Sequence, residues 1–187
     1  MSEARTRLLS TASGLFYADG LHAVGIDRVI AEAQVTRATL YRHFPGKDDL
    51  IVAYLTQADD AIRARTKAAR TEHPDPDEAI RAVAGSIADD IQRPGFRGCA
   101  FLNAAAEYPD PAHPVHRAVL EHRQWFLTAV TELFTATGKP DPEPAARHFV
   151  MLRDGAMTAG CLSDPKPIRE TFLRGVEGLL TYRSRPE

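Results

Sequence analysis

At 187 residues, with 23 Lys and Arg against 25 Asp and Glu and a formal net charge of −2, the chain can bury a sizeable core in one large or two small domains. It lacks the basic excess of a protein that coats nucleic acid. With no run of about 18 apolar residues, no apolar signal core after MSEAR and no metal-type spacing between Cys99 and Cys161, a soluble cytoplasmic protein without membrane, disulfide framework, zinc or cofactor is expected.

Helical periodicity runs through nearly the whole sequence and no half-buried strand pattern interrupts it, which predicts an all-α fold of about nine helices. The first helix is expected over 3–18, with Leu8, Ala12, Leu15 and Phe16 as its buried stripe and Gly20 as its C-terminal cap. In the second, Ile26, Val29, Ile30 and Ala33 share one face while Arg28 and Glu32 take the other. Thr36 is positioned to cap a third helix whose Leu40 and Phe44 point into the same core, and Pro45-Gly46 ends it.

Two short helices joined by a tight turn form a helix-turn-helix pattern. The outer face of the second one carries Arg37, Ala38, Thr39, Tyr41, Arg42 and His43, with Lys47 just past the end. Between Thr36 and Lys47 there are three Lys or Arg and no acid. A carboxylate-free face of cations, hydroxyls and an aromatic ring suits a polyanion, with base edges read in the major groove and phosphates held by flanking donors such as Arg28, Thr36 and Lys47.

The stretch 35–50, VTRATLYRHFPGKDDL, resembles the recognition helix and following linker of TetR-family transcriptional regulators. The resemblance covers roughly the first fifty residues by motif and the rest by helical layout. It implies a homodimer whose N-terminal domain, taken as 1–47, binds a palindromic double-stranded DNA operator. A larger domain, 48–187, would bind a small-molecule effector that releases the DNA. One departure is Gln34, where the family turn usually carries glycine. A left-handed backbone is therefore expected at a non-glycine residue, at a cost on the order of 1 kcal/mol.

Beyond the motif, a long fourth helix bridging the two domains is expected from Asp48-Asp49 to about residue 70, carrying Leu50, Ile51, Tyr54 and Leu55. Asp75-Pro76-Asp77-Glu78 restarts the chain as a fifth helix with Ile80, Val83, Ile87 and Ile91 as its core face. In a short, alanine-rich sixth helix over 98–108, Cys99, Asn103 and Glu107 fall on one face. Either they form a ligand's polar anchor in an apolar cavity, or Glu107 pairs with an arginine such as Arg97, Arg117 or Arg123. The seventh helix, 115–137, brings Trp125 and Phe126, which either line that cavity or belong to plain core. His113, His116 and His122 lack the spacing of a metal set.

Helices over 142–162 and 165–182 close the chain. Their stripes Phe149, Leu152, Ala156 and Gly160, and Phe172, Val176 and Leu179, face either their own core or a partner; with the TetR resemblance, an intersubunit four-helix bundle is expected. Arg153 or Asp154 is expected to face the cavity or the partner. The functional expectation is a ligand-responsive repressor released by an apolar or aromatic effector, cationic if Glu107 faces the cavity. An enzyme using Glu107 and Cys99 is the alternative, against which stand the missing nucleophile elbow, phosphate loop and metal spacing.

Overall fold

A computed structural model describes residues 2–181, and among them the secondary structure is entirely helical. The nine helices are α1 (Glu3–Asp19), α2 (Ile26–Ala33), α3 (Arg37–His43), α4 (Lys47–Glu72), α5 (Pro76–Ile91), α6 (Ala100–Glu107), α7 (Pro114–Ala136), α8 (Pro142–Ala159) and α9 (Pro165–Thr181). The expected end of the last helix, Tyr182, lies outside the described residues.

Two compact units form: residues 1–60 with 100–121, and residues 61–99 with 122–187. Helices α4 and α7 contribute to both. The sixth helix therefore belongs with the helix-turn-helix rather than with the remaining C-terminal helices.

In the first unit α1, α2 and α3 pack on one another. Ser2 Oγ accepts the Arg5 amide to start α1, whose four expected core residues are all buried. Gly20, at φ 97°, ends it and donates its N–H to the Phe16 carbonyl. Leu21, Val24, Val29, Ala33, Leu40, Phe44, Leu50 and Ile51 complete a dry interior, joined by Phe101, Ala104 and Tyr108 of the α6 segment.

In the second unit α5 packs against α8 and α9, and α8 against α9. Asp75 Oδ1 accepts the amides of Asp77 and Glu78, so the proline-containing start of α5 is capped as expected. Around Phe149 stand Phe126, Phe134 and Phe172, with ring centroids 6.1–6.4 Å away. Separations in this range are those of favourable offset or edge-to-face aromatic pairs.

That aromatic cluster takes up four residues of the expected dimer stripe and leaves Leu152, Gly160 and Leu179 half-buried. Phe149, Ala156, Phe172 and Val176 are buried inside their own subunit. Gly160 lies against Ile91 and Phe96, and Leu152 packs over Gly175. Large aromatic side chains fill more interior volume than any other residue, so they go to the nearest core. The apolar groups left outside on this side are Met151 and Leu162, 69% and 79% exposed.

Candidate nucleic-acid interface

The reading helix is built by its flanks. Gln34 adopts φ 52° and ψ 49°, and its N–H returns to the carbonyls of Ile30 and Ala31, so the chain leaves α2 through a left-handed residue. Thr36 then accepts the Thr39 amide at 3.1 Å, while its hydroxyl also meets the Thr39 hydroxyl at 2.9 Å. Leu40 and Phe44 are buried and anchor α3 from below. The Arg5 guanidinium stands 5.0 Å over the Phe44 ring.

With that face fixed inward, Arg37, Ala38, Tyr41 and Arg42 are exposed on the other side, while Thr39 and His43 are half-buried. Tyr41 is a large ring left 44% exposed, the disposition of a side chain that meets a partner. His43 meets Ser2 Oγ at 3.1 Å.

Carboxylates do reach the cations, from outside the stretch 36–47. Arg37 pairs with Asp27. Arg28 pairs with Asp19 at 2.7 Å and Glu32 at 2.8 Å, and hydrogen bonding to Glu32 and then Asp19 raises its pKa above the ordinary arginine value. All these groups are solvent-exposed, and water screens such pairs strongly. A phosphate can displace them. Lys47 donates to the His22 carbonyl at 3.3 Å, which fixes its stem beside the α1–α2 connection.

Glu107 is what holds that connection. Its Oε1 accepts the Leu21 amide at 2.9 Å, its Oε2 accepts the His22 amide at 2.6 Å, and His22 Nδ1 lies 3.3 Å from the same carboxylate. Neither expectation for Glu107 stands: it anchors no cavity and takes no arginine, because two backbone donors brought close by Gly20 use both of its oxygens. Next to it Tyr108 is sandwiched between His22 and His113, each 4.6 Å away, and His113 Nε2 faces Asp48 at 3.3 Å. Burial first, and then the charge of Asp48, pushes the Tyr108 hydroxyl up to about 12.

Of the remaining expected ligand residues, Cys99 and Phe126 meet at the Arg153 guanidinium in the second unit, 3.1 Å from the sulfur and 5.4 Å from the ring centroid, whereas Asn103 belongs to the first. Cys99 precedes α6 and belongs to the second unit, Asn103 is exposed, and Glu107 is engaged in the first. In the second unit Trp125 is half-buried beneath the Arg63 guanidinium, 4.1 Å from its ring, and Phe126 is buried beside it. Phe126 lines a small cavity together with Arg153, a residue whose direction the sequence left open.

A capped, short outward helix with a cationic and aromatic face on a three-helix platform defines a helix-turn-helix DNA-binding transcriptional regulator. Known proteins agree. The family described as bacterial regulatory proteins, tetR family, matches residues 8–54. A TetR-family transcriptional regulator of known crystal structure from Streptomyces coelicolor is 69% identical, over 96% of this chain and 95% of that one, with a TM-score of 0.93. The regulator LmrA of Bacillus subtilis is 31% identical over 138 residues, 73% of each chain. A tetR-type regulator from Streptomyces avermitilis is 26% identical over 94% of this chain and 99% of that one, with a TM-score of 0.78. The chain belongs to the TetR family of transcriptional regulators, which are not enzymes. Among the described residues no helix is long and apolar enough to cross a membrane.

Proposed function

We propose that this regulator is a cytoplasmic repressor that occupies a palindromic operator as a homodimer and leaves it when a small molecule binds the C-terminal domain. Residues 1–47 read the DNA, and 48–187 carry the ligand and dimer functions. The observation that carries this reading is α3, capped by Thr36 and pinned by Leu40 and Phe44, which aims Arg37, Ala38, Tyr41 and Arg42 outward as a set. On a two-fold dimer, two such helices enter successive major grooves, which requires a palindromic site.

The dimer face we assign is the outer side of α8 with the turn after it: Met151, Leu152, Gly155, Ala159 and Leu162, at helical spacing. The effector acts only through its preference for the DNA-incompetent state, and a hundredfold release requires about 2.7 kcal/mol of it.

A mobility-shift assay on the DNA upstream of the protein's own coding region tests the reading. Tyr41→Ala and Lys47→Ala are each expected to weaken binding at least tenfold. Lys47→Ala should also lower the slope of log affinity against log salt by about 1 per subunit. Wild-type affinity in both variants would overturn it.

A further inference from the structure

The second unit contains a cation that its surroundings only partly neutralise. Arg153 is 5% exposed, and removing a guanidinium from water is costly unless its charge and donors are matched. Its Nη1 donates to Asp154 at 2.8 Å, but Asp154 is shared with Arg123 at 2.7 Å. Its Nη2 donates to Cys99 Sγ at 3.1 Å, and sulfur is a weak acceptor. Its Nε is buried without an acceptor, and the guanidinium lies 5.4 Å from the Phe126 ring centroid.

This side chain lines a cavity of about 30 Å³ together with Ile62, Thr66, Val83, Phe126 and Met157. Arg65, Ser86, Ile87 and Asp90 complete the wall. Asp90 is covered twice, by both Nη atoms of Arg65 at 2.9–3.0 Å and by Arg93 at 2.6 Å. At the wall itself stand two guanidiniums, Arg65 and Arg153, and one carboxylate, Asp90, which is already taken by Arg65 and Arg93. The volume accommodates roughly two water-sized oxygens, which is also what one carboxylate presents.

We infer that this cavity is the head-group site for a small aliphatic or aromatic carboxylate, held by Arg153, with the ligand's body displacing the flexible Met157 side chain among Ile62, Val83 and Phe126. The inference rests on the effector reading above and reverses the charge expected of the ligand: the carboxylate that suggested a cation, Glu107, is engaged in the other unit, and the buried group at this cavity is positive.

Trp125, the only tryptophan, lies tilted against Phe126 with centroids 6.1 Å apart and serves as the reporter. The full-length protein is titrated with benzoate and hexanoate, and with benzamide and hexanamide, at constant ionic strength and chloride. Saturable fluorescence changes are expected for the acids, with dissociation constants at least tenfold below those of the amides. Arg153→Met should raise the acids' constants at least tenfold and leave the amides' unchanged, and Arg153→Lys should recover part of the loss. Should Arg153→Met fail to fold by circular dichroism, the acid-amide ratio in wild type and its reduction in Arg153→Lys carry the test. Equal binding of acid and amide, or acid binding indifferent to Arg153→Lys and Arg153→Met, would overturn the site. Acid binding with undiminished operator affinity would keep the site and remove the effector reading, whereas operator release by the amides alone would do the reverse.

Discussion

Gln34 carries the strain of the whole reading head in one residue. Its φ of 52° is the left-handed conformation, which costs a residue with a Cβ about 1 kcal/mol relative to glycine. The turn accepts that cost because the Gln34 and Val35 amides both return to α2 carbonyls. Replacing Gln34 with glycine is therefore expected to stabilise the protein by somewhat under 1 kcal/mol, the unfolded chain's added freedom offsetting part of the gain. Urea unfolding measures it, and a lower midpoint would contradict the account. This conformation was expected through the TetR resemblance, in which the turn usually carries glycine at this position. The cap at Thr36 was legible from the residues themselves, since donor and acceptor are three residues apart. The pairing of Arg37 with Asp27 was not: ten residues and a turn separate them, and the pattern within α3 alone contains no acid.

Among the elements, α6 is where local pattern and tertiary position diverge most. As a short helix with one acid on an apolar face it resembles a cavity wall, yet its last residue reaches 86 positions back to clamp the α1–α2 connection. No periodicity encodes such a distance. Only the positive φ at Gly20, whose added Cβ would come 3.5 Å from the Glu107 carboxylate, hints that the backbone there makes room for something. Glu107→Gln tests the clamp well because shape is kept while chemistry changes: the amide offers one acceptor, and its NH₂ would confront the second backbone N–H. A loss of about 2 kcal/mol in unfolding free energy is expected. Operator affinity should fall as well, although Glu107 itself touches no exposed residue of α3, because the His22 carbonyl beside the clamp holds Lys47. Unchanged unfolding energy would mean the two amides are satisfied equally well by water. The core faces of α1 and α5, by contrast, were fully readable, since each presents a single apolar stripe to partners within its own unit.

For the whole molecule, the proposed function requires two copies, and α8 shows why the partner face we assign lies about one residue from the stripe expected from sequence. The helix has two apolar sides. The bulky one, Phe149 and Ala156, meets Phe126, Phe134 and Phe172 within the subunit, and the leaner one, Met151 with Leu152, Gly155 and Ala159, remains outside. Burying Met151 and Leu162 from both copies would contribute about 1.5–3 kcal/mol per side chain before the cost of association, and small residues between them allow close helix approach. A two-fold axis through this face would bring each Met151 near its symmetry mate, so Met151→Glu introduces two like charges into a drying interface. The variant should stay folded, since the side chain is 69% exposed in the subunit. Its dimer dissociation constant, measured by sedimentation equilibrium, should rise at least tenfold. Operator binding should weaken with it and become steeper in protein concentration, because assembly then precedes reading. A dimer of wild-type strength in Met151→Glu would place the partner elsewhere on the surface, and with it the spacing at which two copies of α3 could meet one palindrome.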